Sequence, residues 1–259
     1  MTTYVKEELR RAFLSKITIG TAILSVVLVF SGMFEYLSWI PYGDISVLYI
    51  FLSGYNSGTA SFLGVVFPII ACLPFAASYV EDCKSGLHKY IYLRMKKSHY
   101  MTVRLIVNGL VGGFVLFIGP FLVIMFLLIA KVFTGIPMVK EQLETLEYFH
   151  RIGIQSPTIA IVIILVTLFF CGFILATVAL GISTFIQNVY LTVLIPFILY
   201  IVSATVLANI HTNLNVLGLY NVHHYGMSFT DRFVYGSTLC LVGIVLFFVG
   251  GYKVEEKTI

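Results

Sequence analysis

The side chains best suited to chemistry or binding lie in one charged segment between the second and third apolar runs. The segment begins with Glu81 and Asp82 and ends near the basic pair Lys96-Lys97. Acidic residues at the start and basic residues at the end complement a helix dipole. Six of the sixteen Lys and Arg residues fall here: Lys84, Lys89, Arg94, Lys96, Lys97 and Arg104.

Apolar residues recur at helical spacing within this segment, at Leu87, Tyr90, Ile91 and Met95. The pattern predicts a short amphipathic helix over 81–98 that lies parallel to the membrane. A solvated linker held on one side by its charge fits the same spacing about equally well.

Three kinds of catalytic or metal chemistry find little support. The chain has no G-x4-G-K-[ST] motif and no Gly-Lys pair, so we expect it not to be an ATPase. His211, His223 and His224 have no Cys or carboxylate at metal-ligand spacing, which favours hydrogen bonding over a metal site. Ser183 lies outside any G-x-S-x-G motif, and the last apolar run contains no His. A six-span intramembrane enzyme is therefore the weaker alternative.

An ion-coupled secondary transporter is the other alternative. Such transporters usually carry ionisable groups near the bilayer midplane. In this chain the acidic residue within an apolar run is Glu35, near the outer end of the first run. The chemistry for ion coupling is thus missing from the expected place.

Composition indicates which elements hold the charged segment. The chain of 259 residues is 59% hydrophobic and 11% charged, with a mean hydropathy of +0.99. This is more apolar surface than a soluble core can bury, and it indicates an integral membrane protein. A span needs about 20 apolar residues. We expect a single all-α transmembrane domain with six spans, over 17–40, 62–80, 105–130, 157–186, 189–208 and 233–252.

Charge distribution predicts the orientation. With six spans both termini share one side, and that side carries twelve of the sixteen Lys and Arg residues. The positive-inside rule therefore predicts that both termini and the charged segment are cytoplasmic.

Three further segments have recognisable patterns. Residues 1–16 carry Val5, Leu9, Ala12 and Phe13 at helical spacing among charges, which favours an interfacial helix over a frayed basic terminus. The uncharged stretch over 209–231 is a candidate for a re-entrant segment on the outer side. Gly109 and Gly113 form a GxxxG pattern, typical of close helix packing.

This layout resembles the permease subunits of ABC exporters of the second permease type. The resemblance rests on the leading interfacial helix, the six spans, and a Glu-x4-Gly element at Glu81 and Gly86 that opens a basic helix. Arg94 and Arg104 complete the motif, although many members have a proline late in this helix where this chain has Met95-Lys96-Lys97.

The resemblance implies that the segment over 81–98 is a coupling helix, which docks on a separate ATPase subunit that binds ATP and Mg. The residues implied in coupling are Glu81, Ser85, Gly86, Tyr90, Tyr92, Arg94 and Lys96, with Arg104 anchoring the third span. It also implies a second permease subunit, identical or paralogous, in the cell membrane of a bacterium. The expected substrate is amphipathic, a peptide or a lipid-like molecule, and no nucleic-acid partner is expected.

Overall fold

The computed structural model describes residues 2–42, 45–57, 62–140, 147, 149–150, 153–186, 188–221 and 227–256. The regular elements in these ranges are helices. They are α1 (Thr2–Phe13), α2 (Lys16–Leu37), α3 (Val47–Leu52), α4 (Leu63–Cys72), α5 (Ser78–Lys84), α6 (Leu87–Tyr92), α7 (Lys97–Thr134), α8 (Pro157–Ser183), α9 (Val189–Ile210), α10 (Leu217–Tyr220) and α11 (Phe229–Glu256).

Five of these helices, α2, α7, α8, α9 and α11, are long and apolar enough to cross a membrane. The shortest have 22 residues. At 1.5 Å per residue such a helix is about 33 Å long, which matches a hydrocarbon core of about 30 Å. The expected all-helical fold with membrane-spanning character is confirmed in this form.

The expected second span over 62–80 needs correction. It consists of α4, which has ten residues, followed by a turn over 73–77 and then α5. Pro74 lies in that turn, and proline removes a backbone donor and clashes with the preceding turn of a helix. Alone, α4 reaches only about 15 Å, so any crossing here would need α4 and α5 together.

The helix expected over 81–98 also needs correction. The chain divides it at Gly86, whose φ of +72° lies in the left-handed region that ends a helix. Glu81 belongs to α5, and only Leu87–Tyr92 forms a separate helix, α6. Beyond it, α7 begins at Lys97 and has 38 residues, so it extends well past the expected third span over 105–130.

Two short segments outside the long helices are buried. Residues 45–57, which no sequence pattern assigned to an element, form α3 and a following wide turn, with Phe51 and Tyr55 almost fully enclosed. The segment over 209–231 includes α10, where Tyr220 is also fully buried and donates its hydroxyl hydrogen to the Tyr55 carbonyl oxygen. The Tyr220 ring stacks on Phe67 of α4 with ring centroids 4.5 Å apart. These segments fill one end of the bundle.

The centre of the bundle is a close contact between α7 and α8. A Cβ atom added at Gly112 would lie 2.4 Å from the Cβ of Ala176, and one added at Gly172 would lie 2.5 Å from the Gly112 carbonyl oxygen. Neither position has room for a side chain, so the two backbones approach directly. Asn108 reinforces the contact because its Nδ2 donates to the Ala176 carbonyl oxygen at 2.6 Å.

The GxxxG residues lie on the same seam. Gly109 packs against the ring of Phe173, and Gly113 packs against the backbone and ring of Phe169. The packing face expected from their spacing is therefore used within the chain.

Candidate functional site

Four charged side chains from three separate helices meet at the end of the bundle that carries the charged segment. Glu8 and Arg11 come from α1, Asp82 from α5 and Arg104 from α7. We call these four residues the ion cluster. Their formal charges cancel.

Asp82 and Arg104 are the centre of the ion cluster. Arg104 Nη2 lies 2.6 Å from Asp82 Oδ2, and Arg104 Nη1 pairs with Glu8 Oε1. Arg11 approaches Asp82 from α1 with both terminal nitrogens, at 2.7 Å to Oδ1 and 3.3 Å to Oδ2. Tyr100, one turn before Arg104, donates its hydroxyl hydrogen to Asp82 Oδ2 at 3.2 Å. Asp82 thus links α1, α5 and α7.

Burial differs sharply between the two arginines. Arg104 is 0% exposed, whereas the Arg11 side chain is 39% exposed. A buried ion is stable only when partners replace its hydration, and Arg104 has two carboxylates as well as the rings of Phe75 and Tyr100 beside its guanidinium, at 4.9 and 5.6 Å. The hydrogen bond between Arg11 and Asp82 raises the pKa of the Arg11 guanidinium. Burial raises the pKa of the Tyr4 hydroxyl, which lies on the same side of α1.

Local sequence explains how the ion cluster forms. Glu8 falls within the apolar stripe of α1, three residues after Val5 and four before Ala12, so it faces the bundle together with them. Asp82 lies on the inner side of α5 while its neighbour Glu81 is exposed, because successive helical residues point about 100° apart. The backbone carbonyl of Asp82 is 3.1 Å from His88 Nδ1, which ties the start of α6 to α5.

The segment over residues 84–96, which we call the tip, extends beyond the ion cluster. Tyr90 is 70% exposed and Leu93 is 84% exposed, an unusual setting for apolar side chains that stand among basic ones. Arg94 and Lys96 are exposed beside them. The other side of the tip is anchored, since Tyr92 packs edge-on against Tyr100 of α7 with centroids 5.4 Å apart.

The residues expected to act in coupling divide into three groups. Tyr90, Arg94 and Lys96 lie on the exposed side of the tip, and Glu81 is exposed on α5. Ser85 and Gly86 form the turn between α5 and α6, where Ser85 Oγ donates to the Asp82 carbonyl oxygen at 3.3 Å. Tyr92 and Arg104 face inward, and of the expected residues Arg104 is the one in the ion cluster.

Sequence reasoning missed Glu8, Arg11, Asp82 and Tyr100. A signal for Glu8 was present, because a carboxylate in the apolar stripe of α1 needs a buried partner, as does a basic residue such as Arg104 at the start of an apolar run. The sequence does not show that Glu8 and Arg104 pair with each other, because that depends on how α1 packs on α7.

Of the groups considered for catalysis, the two that the structure describes, Ser183 and His211, lie near opposite ends of α9. Ser183 Oγ donates to the Leu180 carbonyl oxygen at 2.6 Å, and it lies at the end of α8 that precedes the start of α9. His211 follows the far end of α9, about 33 Å along that helix. His223 and His224 lie outside the described residues. Within the described residues, no group of three or more His, Cys, Asp or Glu side chains is placed to hold a metal ion.

The fold and the site define a helical protein of membrane-spanning character with a buried ion cluster beneath an exposed basic and apolar tip. No protein-family model, characterised protein or solved structure matches the chain.

Proposed function

We propose that the chain is the membrane-spanning permease subunit of an ATP-driven exporter, with ATP and Mg bound by a separate ATPase subunit. The observation that carries this proposal is the tip, because exposed Tyr90 and Leu93 lie on a segment whose base is fixed to three helices by the ion cluster. A partner that binds the tip can therefore exert force on α1, α5 and α7 together.

The surface of the tip has the character of a docking site. Interface cores are rich in aromatic and other apolar side chains, and Arg is enriched at them. Tyr90, Leu93 and Arg94 supply this combination on the exposed side of the tip. The remaining basic residues of the tip suit a partner with an acidic rim.

The finer arrangement follows from the same proposal. If α4 and α5 together form the second crossing, the chain crosses the membrane six times. Both termini and the tip then lie in the cytoplasm, and α1 lies on the inner leaflet. The resemblance to exporter permeases favours a bacterial cell. The functional unit is a pair of such subunits, identical or paralogous, each bound to one ATPase. The substrate class is an amphipathic molecule, a peptide or a lipid-like compound.

Photo-crosslinking at the tip tests this function. A photoreactive phenylalanine analogue is placed at Tyr90 or Leu93 in the full chain in its native membrane, with Tyr42 as control. Tyr42 is also strongly exposed, at 78%, but lies after the opposite end of α2. We expect Tyr90 and Leu93, but not Tyr42, to crosslink to a polypeptide with a G-x4-G-K-[ST] motif, and the purified complex to hydrolyse ATP.

Loss of that complex on substitution is the second measurement. Leu93→Asp should reduce co-purification of the ATPase at least tenfold while the chain still inserts and elutes as a single species. Crosslinks from the tip to lipid alone, or equal ATPase recovery with Leu93→Asp, would reject the proposed function.

A further inference from the structure

A lysine side chain joins the tip to the end of α11. Lys97, the first residue of α7, has its ammonium nitrogen 5.6 Å from the ring centroid of Tyr92 and 4.8 Å from the ring centroid of Tyr252. Tyr92 ends α6, within the tip, and Tyr252 lies in the last two turns of α11. A cation within about 6 Å of a ring centroid is attracted to the face of that ring. We call these three residues the aromatic latch.

Helix stability alone does not account for a lysine at this position. The positive end of the helix dipole lies at the N-terminus, so a basic residue there is unfavourable. The preceding residue, Lys96, makes no side-chain cap to α7. The Lys97 ammonium nitrogen is nevertheless buried. The two ring faces offset this cost, because each presents negative charge density to the cation.

The end of α11 is a fixed support for the aromatic latch. Two adjacent glycines bring it close to its neighbours. A Cβ added at Gly250 would overlap Thr184, just after α8, and one added at Gly251 would overlap Met101 of α7. The backbone that carries Tyr252 is therefore held directly against two other helices.

The tip itself is short and exposed on its outer side, so a small number of contacts decides where it lies. Gly86 interrupts the helix at its base, and Leu93 and Arg94 are exposed beyond α6. Tyr92 packs edge-on against Tyr100, with ring centroids 5.4 Å apart. The single ring of Tyr92 thus makes both this contact and the contact with Lys97.

We propose that the aromatic latch holds the tip against the end of α11, and that the tip moves away from α11 when Lys97 leaves the Tyr252 ring. The ion cluster connects the base of the tip to α1, α5 and α7, and the aromatic latch adds α11. Tyr252 is 50% exposed, so water can replace the cation at this ring. The inference does not depend on the proposed function, because it concerns contacts within this chain alone.

Hydrogen–deuterium exchange of the full chain in detergent micelles, followed by mass spectrometry of peptides over 84–96, tests the proposal. Tyr252→Leu removes the ring and should raise the exchange rate of the tip about threefold or more. Tyr252→Phe keeps the ring face and should leave the rate unchanged. Lys97→Met should act like Tyr252→Leu, whereas Lys97→Arg keeps a cation and should preserve slow exchange.

The matched control is Tyr235→Leu, the same replacement near the other end of α11, which should not alter exchange at the tip. The double variant shows whether both residues act through one contact. Adding Tyr252→Leu to Lys97→Met should raise exchange no further, because its partner is already lost. Wild-type exchange in Tyr252→Leu, independent effects in the double variant, or an equal rise with Tyr252→Phe or Tyr235→Leu would each overturn the proposal.

Discussion

Replacing Asp82 with alanine should lower the free energy of unfolding far more than the same change at Glu81, the other acidic residue of α5. Asp82 is 1% exposed and pairs with Arg104, which is 0% exposed. Removing one partner of a buried ion pair typically costs about 3–5 kcal/mol, because the other charge is left without compensation. Glu8 still pairs with Arg104, so we expect a loss in free energy of unfolding near the lower end, about 3 kcal/mol.

The measurement is SDS-induced unfolding in mixed micelles, followed by circular dichroism. Glu81→Ala is the matched control, since it removes the same type of charge from the adjacent, exposed position of α5. We expect it to change the free energy of unfolding by less than about 0.5 kcal/mol. Arg11→Ala should fall between them, at about 1 kcal/mol, because the Arg11 side chain is 39% exposed and solvent screens its pairing.

A combined variant separates charge compensation from the loss of packing. Buried ionic groups can often be replaced together by apolar residues of similar size without loss of stability. The variant with Glu8→Leu, Asp82→Leu and Arg104→Met should therefore be more stable than Asp82→Ala alone. If Asp82→Ala costs no more than Glu81→Ala, or if the combined variant loses the sum of three separate defects, the electrostatic reasoning is refuted.

Three other outcomes are expected. Gly112→Ala should destabilise the protein by about 1–3 kcal/mol in the same unfolding assay, because its Cβ would overlap atoms of α4 and α8. Gly20→Ala is the control, and it should be neutral or stabilising because the added Cβ meets nothing within 4 Å. Burial raises the pKa of the Cys83 thiol. Its alkylation by iodoacetamide, followed by peptide mass spectrometry, should therefore begin at a higher pH than alkylation of a free cysteine peptide, and unfolding in SDS should abolish the difference. Identical pH profiles before unfolding would contradict this. In a cysteine-free background, a membrane-impermeant maleimide added outside intact cells should label Tyr42→Cys, at a position 78% exposed, and not Ser85→Cys, and the reverse pattern would overturn the orientation.

Much of the fold follows from composition and periodicity. Long apolar runs identify α2, α7, α8, α9 and α11, because a helix that satisfies its own backbone is required wherever water is absent. The spacing of Gly109 and Gly113 likewise indicates a close-packing face on α7, although it does not identify α8 as the partner. The boundary errors occurred where local chemistry ends a helix within an apolar or charged run, at Pro74 and at Gly86.

The site was harder to predict than the fold. Periodicity and charge predicted the helix of the tip, since they depend on residues close together in sequence, whereas Arg104 was singled out through the resemblance in layout. Glu8 and Arg104 are 96 residues apart, and Arg11 and Asp82 are 71 apart, so their pairing depends on tertiary packing. Without other sequences to compare, Glu81 and Asp82 are equivalent acidic neighbours, and only burial tells which one faces inward.

The seam between α7 and α8 limits how this protein changes shape. Two helices in backbone contact at Gly112 and Gly172 have no flexible side chains between them to absorb sliding, so a shift along the seam drives Ala176 into α7. We therefore expect the two helices to move as one rigid body. Any rearrangement has to be absorbed at the boundary of that body, and the turn at Pro74 is one place where the chain already lacks a continuous ladder of backbone hydrogen bonds.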